Sequence, residues 1–236
     1  MLGACRSAQP TGGDAAALRG ALASTRNSAS PTKTESQQPW TLLFDGRSLA
    51  GWHNYETPGE PVRGWSVEDG LLVRSGPGGD LTTDSMYQNF EFELEWRVPP
   101  RGNSGVIYRV APNMPATYLS GPEMQILDDA GHRDGRNALT SAGSNYGLHA
   151  PLPGHVKGAN EWNSARLIVN GTHVEHWLNG ARVVTYELGS PDWDARRRAS
   201  KFENTDTYGR ATRGYLVLQD HGDRVAFRNV RIRELP

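Results

Sequence analysis

Gln219, Asp220 and His221 follow one another directly after the apolar run that ends at Leu218, and each can exchange a proton or hold a ligand. His221 is the candidate general acid or base, because imidazole has the ordinary pKa nearest neutrality. Glu95 and Glu123 are candidate carboxyl partners, a pair able to act as acid and base, with a solvated strand face the plainer reading of Glu95. Gln125 and Gln219 each donate and accept hydrogen bonds, which suits a polyhydroxyl ligand or, equally, loop backbone. Arg109 is either a ligand contact or a cross-strand neutraliser of Glu95 or Glu123. Tyr146, like Trp52, could stack against a flat ring. His176 shares its strand parity with Val174 and Leu178, so it is either a satisfied half-buried histidine or a contact to ligand. Asp128 beside Asp129 could ligate a hard cation, although no loop motif accompanies them. A divalent cation is the one cofactor these residues leave open.

Strands must position these groups. From Trp40 onward, short runs of β-branched, aromatic and aliphatic residues alternate with Gly, Pro, Asn and Asp, the spacing of an all-β sandwich or barrel. In "FEFELEWRV", Phe90, Phe92, Leu94, Trp96 and Val98 alternate with Glu91, Glu93, Glu95 and Arg97, so one face is core and the other charged. Asn170-Gly171 and Asn179-Gly180 suit type I′ turns and predict a three-stranded meander. The same alternation puts Val106, Tyr108 and Val110 inward with Arg109 outward, Met124 and Ile126 inward with Glu123 and Gln125 outward, and Leu216 and Leu218 inward with Gln219 and His221 outward. Roughly ten strands are expected, enough for two packed sheets. One surface helix is expected in "SPDWDARRRASKF", capped by Ser190, with its arginine triplet on a solvated face.

The 236 residues carry 25 basic and 26 acidic side chains, a balance that offers no field for nucleic acid. No apolar run approaches the roughly 18 residues a spanning helix needs. Cys5 is the single cysteine, so neither a disulfide framework nor a thiolate metal site can form. "MLGAC" resembles a lipobox without the apolar segment that precedes one, so membrane attachment through a lipidated Cys5, with a start further upstream, is one expectation and a chance match the other. Residues 1–38 read as a Ser-, Thr-, Gln- and Pro-rich tether, and 39–236 as the folded domain.

The phrases "WTLLFDGRSLAGW", "GWSVEDGLLV", "FELEWR" with "GNSGVIYR", "EMQILDD", "EWNSARLIVNGTHVEHWLNG", "SKF" with "YGR" and "LQDHGDRVAFRNVRI" run in order through the chain. Together they resemble the 3-keto-disaccharide hydrolase domain family. The resemblance implies an all-β, two-sheet antiparallel jelly-roll sandwich of the concanavalin A-like type, outside the cytoplasm, in the periplasm or at the cell surface. It implies an oligosaccharide or glycoside substrate whose ketone at C3 a partner sugar 3-dehydrogenase installs. It would also gather Glu95, Arg109, Glu123, Gln125, Gln219 and His221 in one groove. The expected reaction is removal of the C2 proton, elimination of the C1 substituent and addition of water, with His221 and Glu123 moving protons and Arg109 or a cation holding the enolate. A non-catalytic carbohydrate-binding module and a surface interaction protein are the alternatives.

Overall fold

The computed structural model describes residues 38–236; Cys5 and the expected tether lie outside the described residues. Along the chain come β1 (Thr41–Leu42), β2 (Trp52–Asn54), β3 (Trp65–Glu68), β4 (Leu71–Arg74), β5 (Leu81–Tyr87) and β6 (Phe90–Arg97). Then follow β7 (Asn103–Val110), β8 (Glu123–Leu127), β9 (Asn163–Asn170), β10 (His173–Leu178) and β11 (Ala181–Glu187). The helix α1 (Pro191–Arg198) and the strands β12 (Gly214–Leu218) and β13 (Ala226–Glu234) complete the domain. One sheet has the order β11-β10-β9-β6-β13-β4-β3, with β1 added against β13; the other has the order β2-β5-β12-β7-β8. All pairings are antiparallel, so the domain is a two-sheet jelly-roll sandwich carrying one short helix.

The core lies between the sheets and follows the alternation. Phe90, Phe92, Leu94 and Trp96 from β6 meet Val106 and Tyr108 from β7, Met124 and Ile126 from β8, and Leu216 and Leu218 from β12. Each such side chain contributes roughly 1.5–3 kcal/mol by leaving water. The meander β9-β10-β11 forms as expected, but its two turns differ. Asn179 and Gly180 both have positive φ, at 50° and 84°, the type I′ pattern. The first turn shifts by one residue: Asn170 pairs with His173, and Gly171 and Thr172 close the loop with positive φ at Gly171 alone.

Ser190 caps α1 by accepting from the Trp193 N–H at 3.1 Å, and Pro191 starts the first turn. The arginine triplet is not simply solvated. Arg197 is buried and donates to the carbonyls of Phe202 and Glu203, both at 3.0 Å, while Arg196 pairs with Asp192 at 2.8 Å. Trp193 is buried as well, stacking on Tyr186 and Tyr208, so the helix is docked by an aromatic column.

Strict alternation fails once on β7. Arg109 has φ +51°, and Val110 joins Ile107 and Val217 in a small apolar cluster on the outer face instead of sharing the core face of Val106 and Tyr108. The kink turns Arg109 toward the end of the sandwich, where it donates to the Gln88 carbonyl and, at 2.8 Å, to that of Gly171. It therefore ties the β5–β6 connection to the turn between β9 and β10. Replacing Arg109 by alanine should leave both buried-end carbonyls unpaired and lower stability by about 1–3 kcal/mol, read as a lower denaturant midpoint at unchanged slope.

Candidate active site

The outer face of the five-stranded sheet carries the candidate site. Glu123 opens β8 opposite Ile107, with its side chain directed away from Met124 and the core. Diagonally across from it on β7 is Gly105, the partner of Gln125, and a Cβ there would stand 2.3 Å from the Glu123 Oε1. The carboxyl group thus lies across a strand position that only glycine leaves empty. Gln219 joins from the other side, its N–H donating to the Gly105 carbonyl at 3.0 Å. The loop between β8 and β9 doubles back beside β8: the Tyr146 N–H donates to the Glu123 carbonyl at 3.0 Å, which sets the phenol next to the carboxylate.

Glu123 is 5% exposed, and its carboxylate accepts no hydrogen bond among the described residues. Burial pushes its pKa up to about 8; Lys201 pulls the other way, while the charges of Asp80 and Asp134 add to the rise. Lys201 reaches the site from the turn after α1. Its Nζ lies 4.1 Å from the centre of the Tyr146 ring, 5.0 Å from that of Phe202 and 5.8 Å from that of Tyr118. Burial of the amine lowers its pKa, and Glu123 and Asp134 oppose that. Burial likewise raises the Tyr146 phenol to about 12, and its hydroxyl is aimed at Asp134.

Next to this centre is a hollow of about 270 Å³ lined by Tyr55, Asp80, Thr117, Tyr118, Gln219 and His221. His221 is exposed at its rim, edge-on to His132 with ring centres 6.3 Å apart. The buried Oε1 of Gln219 has no partner among the described residues. Asp80 accepts from the Thr117 hydroxyl and from the Asp220 N–H, yet burial still raises its pKa. Asp220 itself is structural: it pairs with Arg74 at 2.7 Å and accepts from the Gly79 N–H at 3.1 Å, clamping the loop before β5.

Several expected members of the groove lie elsewhere. Glu95 is on β6, in the other sheet, and pairs with Arg228 at 2.6 Å. It lines a wider cleft of about 440 Å³ on that sheet's outer face, in which Glu93 too is matched by Arg231 at 2.6 Å. Alternation had assigned Glu95 the correct side of its strand but not the sheet. Arg109 is withdrawn by the kink on β7. His176 is fully buried between the sheets, donating from Nδ1 to the Gly143 carbonyl and accepting at Nε2 from the Tyr108 hydroxyl, each at 3.0 Å; burial lowers its pKa to about 4, so it is a neutral core residue. Gln125 faces outward, but it is 1% exposed and its amide donates to the Thr140 carbonyl in the loop between β8 and β9.

Asp128 is held as a loop clamp: its Oδ2 accepts from the Arg101 N–H at 2.7 Å, and the same oxygen packs against Gly131. Among the described residues, no three His, Cys, Asp or Glu side chains converge to hold a metal ion. Sequence reasoning missed Lys201, Asp80, Asp134 and Tyr118. Of these, only Lys201 carried a signal, inside the phrase "SKF".

Residues 39–233 match the model of the 3-keto-alpha-glucoside-1,2-lyase-like domain family. The chain belongs to this family. A curated 3-keto-disaccharide hydrolase of Bacteroides thetaiotaomicron is 32% identical over 228 residues, covering 83% of this chain and 78% of that one. A solved structure from Parabacteroides distasonis, assigned as a glycosyl hydrolase, is 37% identical with a TM-score of 0.77, covering 84% of this chain and 94% of that chain. A second one from the same organism is 27% identical, with a TM-score of 0.64, covering 84% of this chain and all of that one. Family membership makes the protein a hydrolase-type enzyme of carbohydrate chemistry, and the fold expected from the sequence is the fold observed.

Two outcomes follow from the burial of Glu123. Gly105→Ala should drive the carboxylate off its seat and cost on the order of 100-fold in turnover with little loss of stability, measured by kcat and thermal melting in parallel. Glu123 stays protonated in the folded state to about pH 8, whereas an unfolded chain ionises it near 4.5, so its contribution to stability is present at low pH and lost as pH rises across that window. Denaturation midpoints taken from pH 5 to 9 should therefore fall more steeply for the parent than for Glu123→Gln.

Proposed function

We propose that the protein hydrolyses 3-keto-disaccharides, with Glu123 as the base that removes the C2 proton. The observation that carries this reading is the buried carboxyl of Glu123, without a hydrogen-bond donor and raised to a pKa of about 8, on the sheet face that also bears the hollow lined by Asp80, Gln219 and His221. A carboxylate of ordinary basicity is a poor base toward carbon; raising its pKa toward the working pH strengthens it while a useful share stays ionised. The substrate supplies the other half. A C3 ketone acidifies the C2 proton, and loss of that proton lets the C1–O bond break by β-elimination. The description of the family as 1,2-lyase-like fits the elimination, and the name of the Bacteroides relative fits the net hydrolysis after water adds to the double bond.

In this scheme Lys201 faces the C3 oxygen, between Tyr146 and Tyr118. The leaving sugar occupies the hollow of Asp80, Tyr55 and Gln219. Gln219 meets its hydroxyls with the unpartnered Oε1, and His221 at the rim relays a proton to the departing oxygen. Glu95, spent on Arg228, takes no part. Because the ketone is essential, an upstream sugar 3-dehydrogenase must prepare the substrate.

A 3-keto-disaccharide should be consumed while its unoxidised parent is untouched, with turnover rising as pH passes through about 8. Deuterium at C2 should slow the reaction, and Glu123→Gln should lose roughly 10²–10⁴-fold. Cleavage of the parent disaccharide at a similar rate, or no deuterium effect on a rate limited by chemistry, would sink the proposal.

A further inference from the structure

Lys201 is an unusual lysine in this molecule. The residue is exposed, yet its Nζ lies within 6 Å of three aromatic ring centres and makes no hydrogen bond or ion pair among the described residues. The arginines of the opposite sheet show the contrasting case, with Arg228, Arg231 and Arg233 each matched to a glutamate. A lysine needed only for charge balance would be expected to find such a partner.

Its position is also built. Phe202 stacks on Tyr208 at 3.8 Å, Tyr208 stacks on Trp193 at 5.7 Å, and the buried Arg197 holds the carbonyls of Phe202 and Glu203. The turn that carries Lys201 is thus fixed on both sides. The three rings shield the amine from part of its water and so disfavour the ammonium form, although their faces attract it, and lysines whose ammonium form is disfavoured serve as nucleophiles toward carbonyl carbon.

We propose that Lys201 is a covalent amine catalyst that condenses with the C3 ketone of the substrate. The inference rests on the reading of the reaction given above. The Nζ lone pair attacks C3, the carbinolamine loses water, and a cationic iminium results. Glu123 takes the C2 proton, leaving a neutral enamine. The enamine electron pair then expels the C1 oxygen, which leaves as an alcohol with a proton from Glu123 or His221. Water hydrolyses the resulting unsaturated iminium, returning free Lys201 and a 1,2-unsaturated 3-ketone, to which a second water adds. An iminium draws electrons from C2 more strongly than a neutral ketone, so it assists the base where a fixed charge would only stabilise the enolate.

The test is reductive trapping of the full chain. Borohydride added during turnover of a 3-keto-disaccharide should inactivate the enzyme only when substrate is present, and peptide mass spectrometry should place a reduced sugar adduct on Lys201. Lys201→Arg keeps a cation but cannot form the iminium, so it should lose on the order of 10²–10⁴-fold, with an unchanged melting temperature. Turnover by the parent without any adduct, or wild-type rates in Lys201→Arg, would overturn the covalent role while leaving elimination by Glu123 standing. Failure of the parent to consume the substrate at all would remove the reaction itself and this inference with it.

Discussion

A carboxyl group held out of water without a donor is the constraint around which this end of the sandwich is arranged. Leaving a carboxylate so poorly solvated is unfavourable, and the protein meets the cost by protonating it over most of the neutral range. Three features keep Glu123 in place: the missing side chain at Gly105 beneath it, β7 beside it with all eight of its residues buried, and the strip from Gly143 to Tyr146 bonded along the edge of β8. The surrounding packing is extensive enough to hold a group that would otherwise turn to solvent. Burial of this kind is what raises a carboxyl pKa.

The two outer faces show how environment separates identical residue types. On the larger sheet, Glu91, Glu93 and Glu95 lie opposite Arg233, Arg231 and Arg228, and guanidinium groups cover Trp40, Trp162 and Trp177. Those carboxylates are saturated by charge-assisted bonds to guanidinium groups. On the smaller sheet, Glu123 has no arginine against it, and the nearby cation is Lys201, caged by rings. Saturation makes one face a structural lattice; its absence leaves a carboxyl of raised pKa on the other.

The helix serves the site without touching it. Its Trp193 anchors a stack through Tyr208 to Phe202, and its Arg197 ties down the turn that follows, so α1 acts as the mount for Lys201. The arginine that reads as part of a solvated triplet is the one whose guanidinium is buried. Helical spacing from Trp193 to Arg197 puts both on one face, and Arg is able to satisfy several carbonyls at once.

Much of the fold was legible in the sequence because its signals are local. Two-residue alternation sorted Phe90 through Trp96 from their glutamates, Asn179-Gly180 specified its hairpin, and Ser190 announced the helix start. Alternation also sent Glu123 and Gln219 to the face they occupy. It could not say which sheet a strand joins, since pairing is made between segments far apart in the chain; that is why Glu95 and Glu123 share an outward direction but not a cleft. A one-residue kink at Arg109 was equally invisible, because a left-handed arginine is imposed by the neighbouring strands and not by its own preference. The sequence by itself determined the periodicity, the turns and the supply of ionisable groups. Only the tertiary structure decided which carboxyl was stripped of water and which lysine stood beside it, since desolvation depends on every segment packed around a group and not on the residues adjacent to it.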